Sequence, residues 1–307
     1  MSGKVYTFGS ILVILAILAN GCSFNNSKSP DLKSKTAETA TSSKTITSSP
    51  TFTNTATKIK TPTLQTTKEI ITNTPLLNSQ IQVNIINSLK NNGNCRLPCW
   101  WGIDPGITSW PDANATMQVL GLTPSLDNIS GAYTLLYEFS GENHALIFTM
   151  NFYLKNDFVK TIYFRSEGYN NLLSFKKVYS SLAPEQIMME YGSPSRIDMT
   201  GGFGSGGVYY VISFYYDDLG FAISYDGKAP FIDIHSTTVP FCPTFGTKGN
   251  LTGGIGLELE SNNIALNHDD LSHSLSEAGG ITPQDLYNLY INSTNGVCFD
   301  TPTDLWK

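Results

Sequence analysis

Six runs constrain this chain more than anything else in it: AYTLLYEF (132–139), HALIFTMNFYL (144–154), DFVKTIYFRS (157–166), VYYVISFYY (208–216), FAISYD (221–226) and FIDIHS (231–236). Each is dense in β-branched and aromatic residues, the side chains that suit a pleated, half-buried surface. The segments SGEN, KND and DDLG between neighbouring runs are turn formers, so the runs fold back on one another as antiparallel meanders.

Helical signals precede each group of strands. In the first, Ser109 is placed to cap, Pro111 sits in the first turn and Asp112 takes the position three on, with Met117, Leu120 and Gly121 closing the helix. In the second, apolar residues at 172, 175, 178, 179 and 182 form one helical face. A short helix follows, with Pro184 at its start, Ile187, Met188 and Tyr191 on one side and Gly192 as its C-cap. The stretch TGGFGSGG (200–207) reads as a flexible loop leading into the second meander. A third element, TPQDLYNLYI, has Thr282 as cap, Pro283 at N1, Asp285 in the box position and Leu286, Leu289 and Tyr290 as its face. Helix then antiparallel meander therefore occurs twice, with a partial third copy. The expected class is α+β, with antiparallel sheets and short helices packed on one face. The expected units are 80–166, 167–240 and a C-terminal segment, 241–307, docked on the body.

Gly106, Thr108, Leu120 and Gly121 lie in an order that resembles the "G-x-T … L-G-x-P" helix of the small lipoprotein subunit of the outer-membrane barrel-assembly machinery, with Leu122-Thr123, two residues where the pattern has one, before Pro124. The β-lactamase-inhibitor proteins share that order. Tyr191-Gly192-Ser193-Pro194 matches the end of a second copy, which no G-x-T opens. The resemblance implies a helix before a short antiparallel sheet and carries no activity. CRLPCWWGIDPGIT is similar to a motif of uncharacterised bacterial lipoproteins, which likewise implies no activity.

The N-terminus sets the compartment. Lys4 precedes an apolar run from Ile11 to Ala19 that is too short for a membrane span of about 20 residues and suits a secretory signal, 1–21. LANGC resembles the lipobox of bacterial lipoproteins, whose cysteine receives diacylglycerol. The family places Leu three before that cysteine and Ala or Ser two before, where this chain has Ala19 and Asn20. The resemblance implies that Cys22 is lipidated; the alternative is an uncleaved anchor with an incidental cysteine. Either reading puts the protein outside the cytoplasm on a bacterial membrane.

Residues 22–79 form a stalk: positions 23–79 hold 24 Ser or Thr in 57 residues, no glycine and a net charge of +4. Without an apolar period no core repays the entropy of ordering, so disorder is expected. From residue 80 on, the net charge is −11. Nucleic-acid binding needs a basic patch or stripe, which this acidic body lacks.

Once Cys22 is set aside, Cys95, Cys99, Cys242 and Cys298 remain, an even number in an exported chain. Of three possible connectivities we expect Cys95–Cys99, a tight loop around Pro98, and Cys242–Cys298, a long closure. Redox and metal readings of Cys95/Cys99 fit less well: the spacing is C-x3-C, not C-x-x-C, and no histidine lies nearby. Trp100 and Trp101 face opposite ways if the stretch is strand-like, leaving one ring to plug the core and one free. Trp100, Trp101 and Trp110 are thus the candidate binding surface.

No catalytic constellation emerges. The glycine-rich stretch 200–207 lacks the Lys-Ser/Thr of a P-loop, and Phe203 breaks G-x-S-x-G. In NHDDLSH (267–273), Asp269 and His273 share a helical face but His268 and His273 diverge, so a polar loop is the better reading. His144 and His235 read as ordinary strand side chains. Glu258 and Glu260 share a face of a probable strand and read as simple amphipathic alternation. The sequence calls for no cofactor and no metal. The expected role is non-catalytic binding or scaffolding at the cell envelope, toward an envelope protein or polymer, with a polymer hydrolase or an enzyme inhibitor as alternatives. Convergent carboxylates or histidines in a compact pocket would favour the hydrolase; a flat, aromatic, sheet-side patch would favour the binder.

Overall fold

The computed structural model describes residues 78–141, 144–169, 172–230, 236–245, 249–261, 272–293 and 296–307, all within one compact unit, Glu69–Lys307. The signal, Cys22 and the stalk up to residue 77 lie outside the described residues, as do His235, His268, Asp269 and most of the strand expected at 231–236. No helix among the described residues is long and apolar enough to cross a membrane.

In chain order the elements are α1 (Asn78–Asn91), α2 (Trp110–Val119), β1 (Ser125–Leu126), β2 (Tyr133–Gly141), β3 (His144–Lys155), β4 (Phe158–Tyr169), α3 (Leu172–Val178), α4 (Pro184–Tyr191), β5 (Arg196–Gly204), β6 (Gly207–Tyr216), β7 (Phe221–Pro230), β8 (Thr238–Phe241), β9 (Leu251–Glu260), β10 (His273–Ser274), α5 (Leu275–Gly279), α6 (Pro283–Asn292) and β11 (Phe299–Pro302). The chain is α+β, and helix then meander does occur twice, as α2 before β2–β4 and α3–α4 before β5–β7.

Local chemistry sets the element ends. Ser109 Oγ accepts from Asp112 N (3.3 Å) to start α2, and at α6 Thr282 Oγ1 accepts from Asp285 N (3.1 Å) while Asp285 Oδ2 accepts from Thr282 N (2.9 Å). Gly192 ends α4 at φ 81°. Asn156 and Asp157 both take positive φ, 54° and 64°, which is what a two-residue hairpin between twisted strands requires.

The two meanders do not stand as separate units. All paired strands are antiparallel, and nine join in the order β1-β2-β3-β4-β9-β7-β6-β5-β10, so β9 sits between the last strands of both meanders. The segment 241–307, expected to dock on the body, supplies that central strand. Its burial explains the insertion: Leu251, Ile255, Leu257 and Leu259 are buried on one face of β9, and only a central position gives them apolar neighbours on both sides. Among the described residues the partial third copy has no meander of its own: β11 pairs with β8 in a separate two-stranded ladder.

Register aligns one apolar row across the sheet: Met150, Phe164, Leu257, Ile223, Phe214 and Ile197, all buried. The helices cover this face. α2 and α3 pack on β4, α3 also on β9 and α5 on β5, while α1 packs on α3 and α6 on α4. Tyr179 lies tilted against Phe164 and donates to Ser166 Oγ (2.6 Å), and Tyr225 donates to the Leu182 carbonyl (2.8 Å), so these two buried phenols are hydrogen-bonded, whereas the indole Nε1 groups of Trp100 and Trp101 are buried without a partner.

Glycines 201–207 form strand, where a loop was expected. β5 runs to Gly204 and β6 resumes at Gly207 after a tight Ser205–Gly206 turn. At Gly201 a Cβ would meet the Tyr209 carbonyl oxygen at 2.7 Å and the Trp306 ring at 3.1 Å. Glycine is there for the close approach of a tryptophan to the strand, not for mobility.

Candidate functional site

Trp100 and Trp101 are core residues and offer no free surface. Trp100 is 0% and Trp101 4% exposed, and they lie stacked, 5.6 Å between centroids and 17° between planes. The expected alternation fails because Trp101 has φ 54°, which turns both rings to the same side. Asn92 holds that turn: its Oδ1 accepts from Trp101 N (3.2 Å), and its Nδ2 donates to the carbonyls of Cys95 (2.9 Å) and Cys99 (2.8 Å). Trp100 then packs on Phe164 and Trp101 edge-on to Phe148. Trp110, half-buried, stacks on Tyr133 at 4.0 Å against Phe152, on the helix-covered face. The cysteines pair as Cys95–Cys99 and Cys242–Cys298. His273, in β10, stands edge-on to Trp306. Among the described residues no three His, Cys, Asp or Glu side chains are placed to hold a metal.

The surface that stands out is the other face of the sheet, which no helix among the described residues covers. One residue out of register from the apolar row runs a polar one: Asn151, Tyr163, Glu258, Ala222, Tyr215 and Arg196, on β3, β4, β9, β7, β6 and β5. The next row carries Arg165, Gly256, Ser224 and Ser213. All of these but Arg196 and Ser213 line a groove of about 1030 Å³ with Tyr153 and Tyr163 on one side and Tyr215 on the other. Its floor is flat because Gly256 and Ala222 bring almost no side chain. A Cβ at Gly256 would meet nothing closer than Ser224 Cβ at 3.5 Å. Beyond Arg165 the groove runs on into a second depression of about 530 Å³, bordered by Asp226, Phe203 and Tyr209.

The charges along the groove are paired inside the protein. Lys160 meets Glu260 at 2.9 Å, Arg165 meets Asp226, and the Tyr163 hydroxyl donates to Glu258 Oε1 at 2.6 Å. Arg196 lies over the Tyr215 ring at 3.7 Å and pairs with Asp198 at 2.8 Å. Burial pushes the Glu258 carboxyl above the ordinary glutamate range; the Tyr163 hydrogen bond pulls it back, and the like charge of Glu260 pushes it up again. Burial also raises Asp226 against the opposing pull of Arg165, and Asp226 Oδ1 is buried without a hydrogen-bond partner. Burial, then the bond to Glu258, keep the Tyr163 phenol protonated far above the usual tyrosine range.

A carboxyl whose folded pKa is raised favours the fold when protonated. Glu258 therefore contributes most below the ordinary glutamate pKa of about 4.3, and that contribution is lost as pH rises through the folded value. Glu258→Gln keeps an acceptor for Tyr163 and removes the charge. It is expected to raise Tm at pH 7 relative to the wild type, with the gap closing toward pH 4. A Tm that falls at pH 7, or a gap that widens on acidification, contradicts the assignment.

The sequence named Glu258 and Glu260 only as the outer side of an amphipathic strand, and it passed over Tyr163, Arg165, Tyr215 and Asp226. A signal was present. In these strands the residues alternating with the apolar set include Tyr163, Arg165, Tyr215 and Glu258 beside small ones such as Ser213 and Ser224, a larger aromatic and charged share than an ordinary solvated face carries. No family model matches this chain, and no curated protein or solved structure is significantly similar to it.

Proposed function

We propose that this is an exported, lipid-anchored protein of the bacterial envelope whose body is a non-catalytic binding module, and that it takes an envelope polymer or protein along the groove on the bare sheet face. The observation that carries the reading is that groove: open along its length, walled by tyrosines, and lined by charges that already have partners. A binding surface gains from rigid aromatic area with satisfied polar groups, whereas acid–base catalysis needs a carboxylate free to exchange its proton with substrate.

Asp226, also raised by burial, is held by Arg165, so Glu258 is the residue in the groove that most favours the hydrolase alternative, since a raised carboxyl pKa suits a general acid. Its neighbours weigh against it. Glu260 is held by Lys160 and Asp226 by Arg165, so neither stands ready as the second carboxylate. The inhibitor alternative rests on the sequence resemblance alone.

Gly256→Val tests the groove, because it adds bulk to the floor at a position where a Cβ meets no neighbour closer than 3.5 Å. Full chain solubilised in mild detergent is expected to be retained on isolated cell envelopes, and Gly256→Val to weaken retention at least tenfold with unchanged circular dichroism. Equal retention of the two removes the groove from the reading. Turnover of an envelope polymer that Glu258→Gln abolishes replaces it with the hydrolase. The anchor has its own test: cells fed a palmitate analogue are expected to label the wild type and not Cys22→Ser, and an unlabelled wild type defeats lipidation.

A further inference from the structure

We infer that the groove's ligand is an uncharged, hydroxyl-rich polymer, a chain of sugar rings lying across the sheet; the inference rests on the groove being the binding site. Charge is the first argument. Lys160, Arg165, Glu260 and Asp226 are ion-paired within the protein, and an ionic ligand would have to break such a pair and leave its other half exposed to the cost of desolvation, while Glu258 already accepts from the Tyr163 hydroxyl. A hydroxyl can add to a paired carboxylate or guanidinium without displacing anything, because each keeps further acceptor or donor sites. The body's net charge of −11 also disfavours an anionic chain.

Backbone chemistry is the second argument. A peptide usually docks on a sheet by adding a strand to a free edge. This groove lies on the face of central strands β4, β9, β7 and β6, whose backbone groups are consumed by pairing on both sides. Only side chains are left to recognise a ligand, and they are phenols, hydroxyls, carboxylates and guanidinium groups.

Geometry is the third. Tyr163 on β4 and Tyr215 on β6 are three strands apart, about 14 Å. Between them the polar row holds only Glu258 and Ala222. Arg196 covers one side of the Tyr215 ring and Ala222 is its neighbour on the other, so the ring's open side borders the groove. Two stiff aromatic platforms separated by a flat, hydrogen-bonding floor suit a ligand that repeats an apolar ring face and a hydroxyl edge along its length. The second depression past Arg165 lets such a chain continue.

Affinity electrophoresis of the full chain through gels containing soluble neutral polysaccharides (β-glucans, xyloglucan, galactomannan) tests this, with polygalacturonate and poly-lysine as charged arms. Retardation by at least one neutral polymer is expected, and it is expected to be insensitive to salt, because no ionic contact carries it. Tyr163→Ala and Tyr215→Ala are each expected to weaken it tenfold or more, while Tyr163→Phe, which keeps the ring, restores most of it. Retardation by only a charged arm, sensitive to Tyr163→Ala, overturns the inference of an uncharged polymer and leaves the groove as a binding site; if that arm is poly-lysine, the sugar chain falls with it. Neutral-polymer binding that both alanine variants retain overturns the inference and the groove together.

Discussion

Trp100→Ala is expected to lower the unfolding free energy of the disulfide-intact chain by about 3–5 kcal/mol, the range for truncating a fully buried tryptophan. In a body of this size that is roughly 6–20 °C in Tm. The reason lies in where the ring sits. Trp100 is fully buried and lies between Trp101, stacked on it at 5.6 Å, and Phe164, 5.1 Å away in β4. Phe164 belongs to the apolar row that crosses the sheet, so the cavity opens where the segment carrying Cys95 and Cys99 is fastened to that row. Collapse cannot fill it, because the turn at Trp101 is held by Asn92 and its neighbours are strand residues fixed by register. Trp100 Nε1 is buried with no hydrogen-bond partner, so removing the indole nitrogen costs nothing in hydrogen bonding. Trp100→Phe is therefore expected to cost less than half of what Trp100→Ala does. Urea unfolding followed by near-UV circular dichroism separates the two. An alanine variant within 1 kcal/mol of the wild type, or a phenylalanine variant as damaged as the alanine one, contradicts this account of the core.

The strands and helices were legible because each is specified locally. KND writes a hairpin through two residues that tolerate positive φ, and S-W-P-D and T-P-Q-D write helix starts through their caps. α1 was passed over although Ile81, Ile85 and Leu89 recur at helical spacing, because it adjoins a polar stretch that has no such period. What the sequence did not reveal is the order of strands. IGLELES alternates like an edge strand with one wet face, and nothing within it tells that β4 and β7 flank it. Sheet order is decided by which apolar rows meet, a long-range match that no local pattern encodes.

The site was illegible for the same reason. Tyr163, Glu258 and Tyr215 are spread over more than fifty residues of chain and become neighbours only through register. The tryptophans drew attention instead because they are adjacent in sequence. Reading them as alternating assumed extended backbone at Trp101, and the left-handed φ there removed the free ring. Local density of aromatic residues marked the core, while the exposed aromatic surface was assembled from single tyrosines, each ordinary in its own strand.

Removing the Cys242–Cys298 bond should cost more than removing Cys95–Cys99, and the reason is again the central strand. In the chain-entropy view a crosslink stabilises by denying the unfolded chain its freedom, more so for longer loops. The bonds close separations of 56 and 4 residues, which gives about 4 kcal/mol for the first and about 2 kcal/mol for the second. The long loop contains β9, β10, α5 and α6, so the bond fixes both ends of the segment that the two meanders must receive between them. It does not act alone. The β8–β11 ladder beside it pairs Phe241 with Phe299, Trp306 packs on Phe241, and Tyr290 donates to the Pro243 carbonyl. These contacts keep the folded state intact without the crosslink, so the loss should appear in the unfolding equilibrium and leave the fold in place. The double variant Cys242→Ser/Cys298→Ser is expected to show native circular dichroism and a urea midpoint well below that of Cys95→Ala/Cys99→Ala. The reverse order would mean that the small loop, through Asn92 and the tryptophans, organises the body more than the closure around β9 does.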